Sequence, residues 1–253
     1  MIGSVLITGA TSGIGYELAK IFAKNKYNLI IAARNKKDLE SIKKDFEKQY
    51  EINVDIFEKD LSRKNSAVEL VNKIKSEKLQ VDILINNAGA GYVGEFTEED
   101  LEKDESIMEL NMNSLTILTK LCAKEMVKRR SGKILNVAST GSYHPGPYTA
   151  VYYATKAYVL SLTEALAVEL KPHNVNICAL CPGATKTNFS KSAGKEDNPT
   201  AMEASYVAEK AYKGLMKNKT TIIPGLQYKA FVMLPRKLIT PLIGKYQKSL
   251  KKK

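Results

Sequence analysis

Short apolar runs alternate with longer amphipathic stretches along most of this 253-residue chain. The run Asn28–Ala33 is almost wholly apolar, as expected of a β-strand that is covered on both faces. The stretch Asp38–Gln49 instead repeats its apolar residues at helical spacing. The pattern predicts strands over Ser4–Thr8, Asn28–Ala33, Asn53–Phe57, Asp82–Asn86, Lys133–Ala138, Val175–Cys181 and Thr220–Ile223.

The stretches between these strands have the length and the periodicity of helices. They are predicted over Ile14–Lys24, Asp38–Gln49, Ala67–Ser76, Ser106–Arg130, Val151–Leu170 and Ala204–Met216. This alternation implies right-handed βαβ units and therefore an α/β fold, a Rossmann-type doubly wound parallel sheet of seven strands. No linker divides residues 1–225, so we predict a single domain there. Residues 226–253 are predicted to form an amphipathic extension with two short helices, which have Pro235 and Pro241 at early positions.

A glycine-rich turn joins the first predicted strand to the first helix. Such a turn lets the backbone approach a pyrophosphate, and the helix N-terminus offers free N–H groups and a positive dipole end. The alternative is a turn that needs glycine only for its positive φ angles. The predicted phosphate-binding residues are Gly9, Thr11, Ser12, Gly13, Ile14 and Gly15.

The end of the second strand bears on the choice of dinucleotide. It runs into Arg34 and Asn35 and has no acidic residue. An acid at this position accepts a hydrogen bond from a ribose 2′-hydroxyl, whereas a guanidinium pairs with a 2′-phosphate. Arg34 therefore favours NADP(H) over NAD(H), unless it is a solvated residue at a strand end.

One pair of residues has the chemistry of a proton donor and acceptor. Tyr152 and Lys156 stand four residues apart, on one face of a predicted helix. An ammonium group near a phenol stabilises the phenolate and lowers the phenol pKa. Such a pair can protonate a carbonyl oxygen or deprotonate an alcohol. Taken alone, this spacing is more typical of a surface pair of side chains.

Together, these motifs resemble those of the short-chain dehydrogenase/reductase family. The resemblance covers residues 3 to about 223 and rests on ordered motifs near the strand ends. They are Thr8-Gly9-x-x-x-Gly13-Ile14-Gly15, Asp60-Leu61, Asn86-Asn87-Ala88-Gly89, Asn111, Ser139, Tyr152-x-x-x-Lys156 and Pro182-Gly183-x-x-x-Thr187. The stretches at 145–152 and 179–183 are similar to those of reductases of the 3-oxoacyl and 17β-hydroxysteroid type.

The resemblance implies a role for each catalytic residue. Tyr152 would be the general acid/base, and Lys156 would lower its pKa and bind the nicotinamide ribose. Ser139 would hydrogen-bond the substrate oxygen, and Asn111 would hold a water molecule behind Lys156. The segment 184–199 would cover the substrate.

The resemblance also implies the contacts of the cofactor. Asp60 would contact adenine, Asn87 would support the adenosine-side ribose, and Thr187 would meet the nicotinamide carboxamide. The remaining predicted cofactor-binding residues are Leu61, Ala88, Gly89, Pro182, Gly183 and Thr185, beside Tyr152 and Lys156 themselves.

The formal net charge of +12 comes entirely from the C-terminal part of the chain. Residues 1–209 hold 27 basic and 27 acidic residues, and residues 210–253 hold 12 basic residues and no acid. This basic part could dock on its own domain, or it could contact an anionic membrane surface. Nucleic acid is not expected as a partner, because no aromatic side chains interleave the charges.

Cys122, Cys178 and Cys181 are too few for a disulfide scaffold, and no signal peptide is recognised. We therefore expect a cytoplasmic protein, with peripheral membrane contact as an additional option. Cys178 and Cys181 would face opposite sides of the sheet, so no metal site is expected.

The sequence thus predicts an NADP(H)-dependent oxidoreductase that interconverts a small-molecule ketone or aldehyde with an alcohol. The alternative is a non-catalytic NADP(H)-binding sensor or scaffold. The resemblance to the family also implies a homodimer or homotetramer, in which subunits pair through the helices predicted at 106–130 and 151–170.

Overall fold

A computed structural model describes residues 3–194 and 200–250 and contains the predicted seven-stranded parallel sheet. Its strand order is β3-β2-β1-β4-β5-β6-β9, so the order reverses between β1 and β4. The strands are β1 (Ser4–Thr8), β2 (Asn28–Ala33), β3 (Val54–Glu58), β4 (Ile83–Asn86), β5 (Gly132–Val137), β6 (Val175–Leu180) and β9 (Thr221–Ile222).

Helices cover both faces of this sheet. Successive side chains of β1 point to opposite faces of the sheet, so the sheet separates two apolar core clusters. Val5 and Ile7 pack in the cluster on one face, and Leu6 packs in the cluster on the other. None of these three residues is exposed. The helices are α1 (Gly13–Lys24), α2 (Lys36–Tyr50), α3 (Ser66–Ser76), α4 (Leu101–Met108), α5 (Leu115–Lys128), α6 (Ala150–Leu170), α7 (Asn188–Ser192), α8 (Ala204–Met216), α9 (Leu226–Phe231) and α10 (Arg236–Ser249).

The structure corrects the long helix predicted over Ser106–Arg130 in two ways: the helical stretch begins earlier, and its interior is interrupted. Helix α4 begins at Leu101, because the Asp100 side chain accepts a hydrogen bond from Glu102 N at 3.1 Å and caps the helix. A π-helical segment, Glu109–Ser114, then separates α4 from α5. Asn111 lies in this segment, and π-bulges of this kind occur often at functional sites.

The segment after β6 contains more regular structure than the sequence predicted. Strands β7 (Thr185–Lys186) and β8 (Met202–Glu203) pair in parallel as a small second sheet, and α7 lies between them. Residues 195–199, part of the predicted substrate cover, lie outside the described residues.

The C-terminal extension folds back onto the domain. The prediction of a separate short helix beginning at Pro241 is wrong, because α10 runs through that residue. The helix continues because Ile243, Gly244 and Gln247, all beyond the proline, are buried against the domain. Pro235 precedes the first residue of α10, as predicted. The division between 225 and 226 remains a prediction, and Gly225 lies directly before α9.

The three cysteines are free and buried. Cys178 packs in the core on one side of the sheet, and Cys181 packs in a different cluster, as their spacing predicted. Burial raises the pKa of each of these two thiols to about 12, so both remain protonated at neutral pH. In the part of the chain that the structure describes, no three possible metal ligands come together.

Over the same described ranges, none of the helices combines the length and the apolar character needed to cross a bilayer.

Candidate active site

The glycine-rich turn after β1 has the shape of a phosphate cradle. Gly9 and Gly13 adopt φ angles of +66° and +55°, a region that favours glycine. A Cβ atom on Gly15 would lie 2.3 Å from the Gly9 carbonyl oxygen, so only glycine fits there. Ser12 is the extended residue before α1, and the first N–H groups of that helix open onto the turn. The shape of this turn is compatible with a bound pyrophosphate, and phosphate binding by Gly9 to Gly15 remains a prediction.

Asn87 and Thr8 hold this turn in place. The Asn87 Nδ2 atom donates to the carbonyl oxygens of Thr8 and Gly9, at 3.0 Å in each case. The Thr8 hydroxyl accepts from Asn87 N at 3.0 Å and from Ala88 N at 3.1 Å. The structure therefore uses the Asn87 amide to fix the backbone of the turn. Its predicted support of a ribose remains a prediction.

The predicted adenosine end lies at the ends of β2 and β3. Arg34 is exposed, and the Asn35 side chain caps α2 by accepting from Lys37 N at 3.0 Å. Partial burial raises the pKa of the Asp60 carboxyl, but hydrogen bonds from Ser62 and the charges of Arg34 and Arg63 outweigh it and leave the pKa below its usual value. Asp60 is thus an anion within the field of Arg34.

Leu61 differs from its neighbour because its side chain is buried among core residues. Its carbonyl oxygen accepts from the Ser114 hydroxyl at 2.7 Å, which ties it to the π-helical segment. A contact between Leu61 and the cofactor remains a prediction.

Ser139 and Tyr152 are brought together at the end of β5. Ser139 caps a short 3-10 helix over Thr140–Tyr143, and its hydroxyl accepts from Gly141 N at 3.0 Å. The same side chain is hydrogen-bonded to the Tyr152 phenol. Ser142 anchors the arrangement, because its hydroxyl donates to the Lys156 carbonyl oxygen at 2.7 Å. Two hydroxyl groups therefore meet at the carboxyl end of β5.

Lys156 lies beside Tyr152 and is almost wholly buried, with 3% of its surface exposed. Its Nζ donates to the Val137 carbonyl oxygen at 2.8 Å and lies 5.8 Å from the centre of the Tyr152 ring. Burial lowers the pKa of Lys156 to about 8.

The expectation that Lys156 lowers the Tyr152 pKa is not met in this arrangement. Burial raises the pKa of the Tyr152 phenol, and the Ser139 hydrogen bond opposes that shift only in part. The ammonium is directed at a backbone carbonyl and not at the phenol oxygen, so desolvation dominates.

Asn111 fastens the loop after β4 to the π-helical segment. Its Nδ2 donates to the Ala90 carbonyl oxygen at 2.8 Å and to the Thr155 hydroxyl at 3.0 Å, while Oδ1 accepts from Ala90 N at 3.0 Å. A Cβ on Gly89 would lie 3.2 Å from Lys156 Nζ and 3.3 Å from Asn111 Oδ1. Gly89 thus lies between these two groups and leaves the space beside them open.

The turn after β6 carries the last of the predicted site residues. The Pro182 carbonyl oxygen accepts from Thr140 N at 3.0 Å, and the Thr185 hydroxyl donates to the Gly183 carbonyl oxygen at 2.9 Å. Thr187 reaches back to the glycine-rich turn, where a Cβ on Gly13 would lie 2.7 Å from its methyl carbon. The predicted catalytic and cofactor-binding residues therefore converge on the carboxyl edge of the sheet, as open α/β sheets require.

The sequence analysis missed two aromatic residues beside this site. Phe189, in α7, has its ring centre 5.3 Å from that of Tyr152. Tyr228, in α9, covers Gly183 so closely that a Cβ there would lie 2.1 Å from its ring, and it is hydrogen-bonded to the backbone of Ala184. Phe189 is the aromatic residue of an otherwise polar stretch, which was a usable signal. Nothing in the local pattern singles out Tyr228.

His144 follows the 3-10 helix that Ser139 caps. In the structure it is buried, its Nε2 lies 3.1 Å from the Phe231 carbonyl oxygen, and its ring packs edge-on against the Phe231 ring. It therefore joins the extension to the domain.

The fold and the site together define a dinucleotide-binding oxidoreductase of the doubly wound α/β class. A profile of the short chain dehydrogenase family matches residues 4–198. The chain belongs to the short-chain dehydrogenase/reductase family, whose members bind nicotinamide cofactors.

Individual relatives agree with this assignment. The chain is 32% identical over 235 residues to a Drosophila melanogaster dehydrogenase/reductase SDR family protein 7-like, covering 87% of this chain and 71% of that protein. It is similar to the structure of a short-chain dehydrogenase from Sphingobium yanoikuyae in complex with NADPH, with 31% identity, a TM-score of 0.85 and coverage of 91% and 92% of the two chains. A Burkholderia phymatum family member in complex with NAD shares the fold at 22% identity, with a TM-score of 0.83 and coverage of 95% and 94%.

Proposed function

We propose that this protein is an NADP(H)-dependent oxidoreductase that interconverts a ketone or aldehyde with an alcohol, with Tyr152 as general acid/base. The observation that carries the proposal is the cluster of the Tyr152 phenol, the Ser139 hydroxyl and the Lys156 ammonium at the carboxyl edge of the sheet. A protein that only binds the dinucleotide has no need of this set.

A nicotinamide dinucleotide held by the glycine-rich turn, Tyr152 and Lys156 would supply the hydride that reduces the carbonyl carbon. Ser139 and Tyr152 donate hydrogen bonds to the carbonyl oxygen, which becomes more basic as it gains charge. Tyr152 then transfers its proton to that oxygen, which gives the alcohol and leaves a phenolate. The Lys156 Nζ lies 5.8 Å from the centre of the Tyr152 ring, so turning the ammonium from the Val137 carbonyl toward the phenol oxygen would let it stabilise that phenolate. A phenol with a raised pKa stays protonated between turnovers, which suits the direction of carbonyl reduction.

A panel of ketones and aldehydes, followed by the loss of NADPH absorbance, tests the reaction. Tyr152→Phe should lower the turnover of an accepted carbonyl by roughly 10²–10⁴-fold, the usual contribution of a positioned acid or base. Tyr153→Phe is the matched control, because the neighbouring phenol hydrogen-bonds to Gln247 and not to Ser139. Equal turnover in both variants, or binding of NADPH with no turnover across the panel, would favour the sensor or scaffold.

The proposed preference for NADP(H) rests on Arg34, whose guanidinium is exposed at the end of β2 where a 2′-phosphate would lie. Titration of both dinucleotides should give tighter binding of NADP(H). Arg34→Ala should weaken NADP(H) and leave NAD(H) unchanged, whereas Lys44→Ala, an exposed cation on α2, should affect neither. The preference would be overturned if NAD(H) bound more tightly than NADP(H) and Arg34→Ala changed neither affinity.

The proposed assembly is a homodimer or homotetramer that pairs through α5 and α6. The exposed apolar residue Val168, with 75% of its surface accessible on α6, supports this surface. The hydroxyls of Thr116 and Tyr158 lie 2.9 Å apart and join the two helices on the same exposed side.

A further inference from the structure

The outer face of α10 carries an apolar row that the domain does not cover. Leu238, Leu242 and Tyr246 follow one another at four-residue spacing and are 69%, 58% and 45% exposed. The opposite face of the helix is buried against the domain, through Ile243 and Gln247 among others. The turn before the helix adds two more apolar side chains, Met233 at 83% and Leu234 at 44% exposure. Single exposed apolar residues are ordinary, but a contiguous group of this kind marks an interaction surface.

The charges beside this row have one sign. Lys237, Lys245 and Lys248 are exposed on α10, and residues 210–253 contain 12 basic residues and no acid. The Lys248 ammonium also lies over the Tyr148 ring, 5.7 Å from its centre. This cation is therefore held where α10 meets the domain. An apolar row flanked by cations is the pattern of a helix that lies in the interface of an anionic membrane.

We propose that the outer face of α10, together with Met233 and Leu234, binds the surface of an anionic lipid bilayer. The apolar side chains would enter the boundary between head groups and acyl chains, and the lysines would meet lipid phosphates and carboxylates. The proposal goes beyond the proposed reaction and does not depend on it.

Two other occupants fit this face less well. A second copy of the chain paired through this helix would bring two α10 helices together, each with lysines and no acid, and like charges across an interface oppose association. A nucleic acid would meet the lysines but would leave Leu238 and Leu242 against phosphates or water, with no stacking aromatic row to hold the bases. Lipid is the partner that satisfies both the charges and the apolar row.

The position of α10 ties this surface to the active site. Gln247, on its buried side, donates to the Tyr153 hydroxyl at 3.2 Å, and the ring centre of Tyr153 lies 6.0 Å from that of Tyr152. The helix therefore packs directly on the segment that carries the proposed acid/base. A chain bound through α10 would hold this side of the site near the bilayer.

The test is co-sedimentation of the full chain with vesicles of phosphatidylcholine that contain phosphatidylserine, compared with phosphatidylcholine alone. We expect binding to the first that weakens as salt is added. Leu238→Gln should lower the partition coefficient by roughly ten-fold, the change expected for one leucine side chain leaving an apolar environment. Leu101→Gln is the matched control, because Leu101 is equally exposed, at 69%, on the acidic helix α4.

A second pair of variants tests the charges. Lys237→Gln with Lys245→Gln should lower binding by about thirty-fold, the change that two lysines near an anionic surface produce. Lys44→Gln with Lys48→Gln removes two exposed cations of α2 and should leave binding unchanged. All of these side chains are exposed, so the variants should unfold at the wild-type temperature. The proposal is overturned if the phosphatidylserine vesicles do not sediment the protein at low salt, if the α10 variants bind like their controls, or if the α10 variants change the oligomeric state instead.

Discussion

Lys156 is a cationic side chain that the fold encloses almost completely. The four-residue spacing identified Lys156 as the partner of Tyr152. The structure places the two side chains next to each other, with Nζ 5.8 Å from the ring centre. Their protonation was harder to predict, because it depends on burial and on the direction of one Nζ–H bond. That bond goes to the Val137 carbonyl oxygen, on the strand β5 that precedes Lys156 by 19 residues.

The lowered pKa of Lys156 predicts how stability changes with pH. Below pH 8 the side chain is charged in both states, and the folded protein bears the cost of burying it. Between pH 8 and 10.5 the unfolded chain keeps this proton and the folded chain releases it, so the free energy of unfolding gains a contribution that rises with pH. The full shift corresponds to about 3 kcal/mol.

Urea unfolding across this pH window, on the wild type and on Lys156→Met, measures that contribution. The wild type should gain stability relative to the variant as the pH rises from 8 to 10.5. Parallel pH profiles for the two proteins would show that the Lys156 pKa is not lowered.

The glycine-rich turn illustrates what is predictable at the scale of an element. The order of strand, turn and helix was evident from Gly9, Gly13 and Gly15. Glycine suits the positive φ angles of the first two and the close approach of backbone to the third. The π-helical segment before α5 was not evident, because the apolar pattern continues through it and the cause lies in the contacts of Asn111 with Ala90. The course of α10 through Pro241 was also missed, since packing beyond the proline outweighs the local preference.

Crowding at the turn leads to a second prediction. Gly15→Ala places a Cβ atom 2.3 Å from the Gly9 carbonyl oxygen and 2.4 Å from Asn87 Nδ2, so the turn must move. We expect a loss of about 1–3 kcal/mol in stability and at least a ten-fold weaker affinity for the dinucleotide.

Thermal unfolding and a fluorescence titration with NADPH measure both effects. Gly244→Ala is the comparison, because Gly244 lies in α10 and its new Cβ would lie 3.3 Å from the Pro147 side chain, a tight contact that a shift of a few tenths of an ångström relieves. Wild-type affinity in Gly15→Ala would show that this turn does not bind the phosphates.

At the scale of the molecule, the charge divides the chain into a neutral part and a basic part. Residues 1–209 hold most of the Rossmann-type domain and every residue predicted to bind the cofactor, and their charge is balanced, so the excess cations lie outside the predicted cofactor site. The sequence predicted this division and the topology of the sheet. It could not predict that the basic part packs on the segment bearing Tyr152, because that contact joins residues more than ninety positions apart.

The proposed pairing of subunits gives a third prediction. Val168→Glu puts a carboxylate in the surface formed by α5 and α6, where an interface would leave it buried and unpaired. Sedimentation velocity should show a shift from the oligomer to the 28.0 kDa monomer. Val68→Glu, at an exposed position on α3, should keep the oligomer. An unchanged sedimentation coefficient in Val168→Glu would place the interface elsewhere.

Tyr228 lies over Gly183, so one wall of the active site comes from residues that the ribosome adds after the whole sheet is made. A nascent chain that has reached β9 already holds the glycine-rich turn, Ser139, Tyr152 and Lys156, and parts of a chain that emerge first fold first. The cover over Gly183 nevertheless depends on α9, which is made last but for α10. Removal of residues 226–253 would therefore take Tyr228 from Gly183 while leaving every strand of the main sheet in the chain.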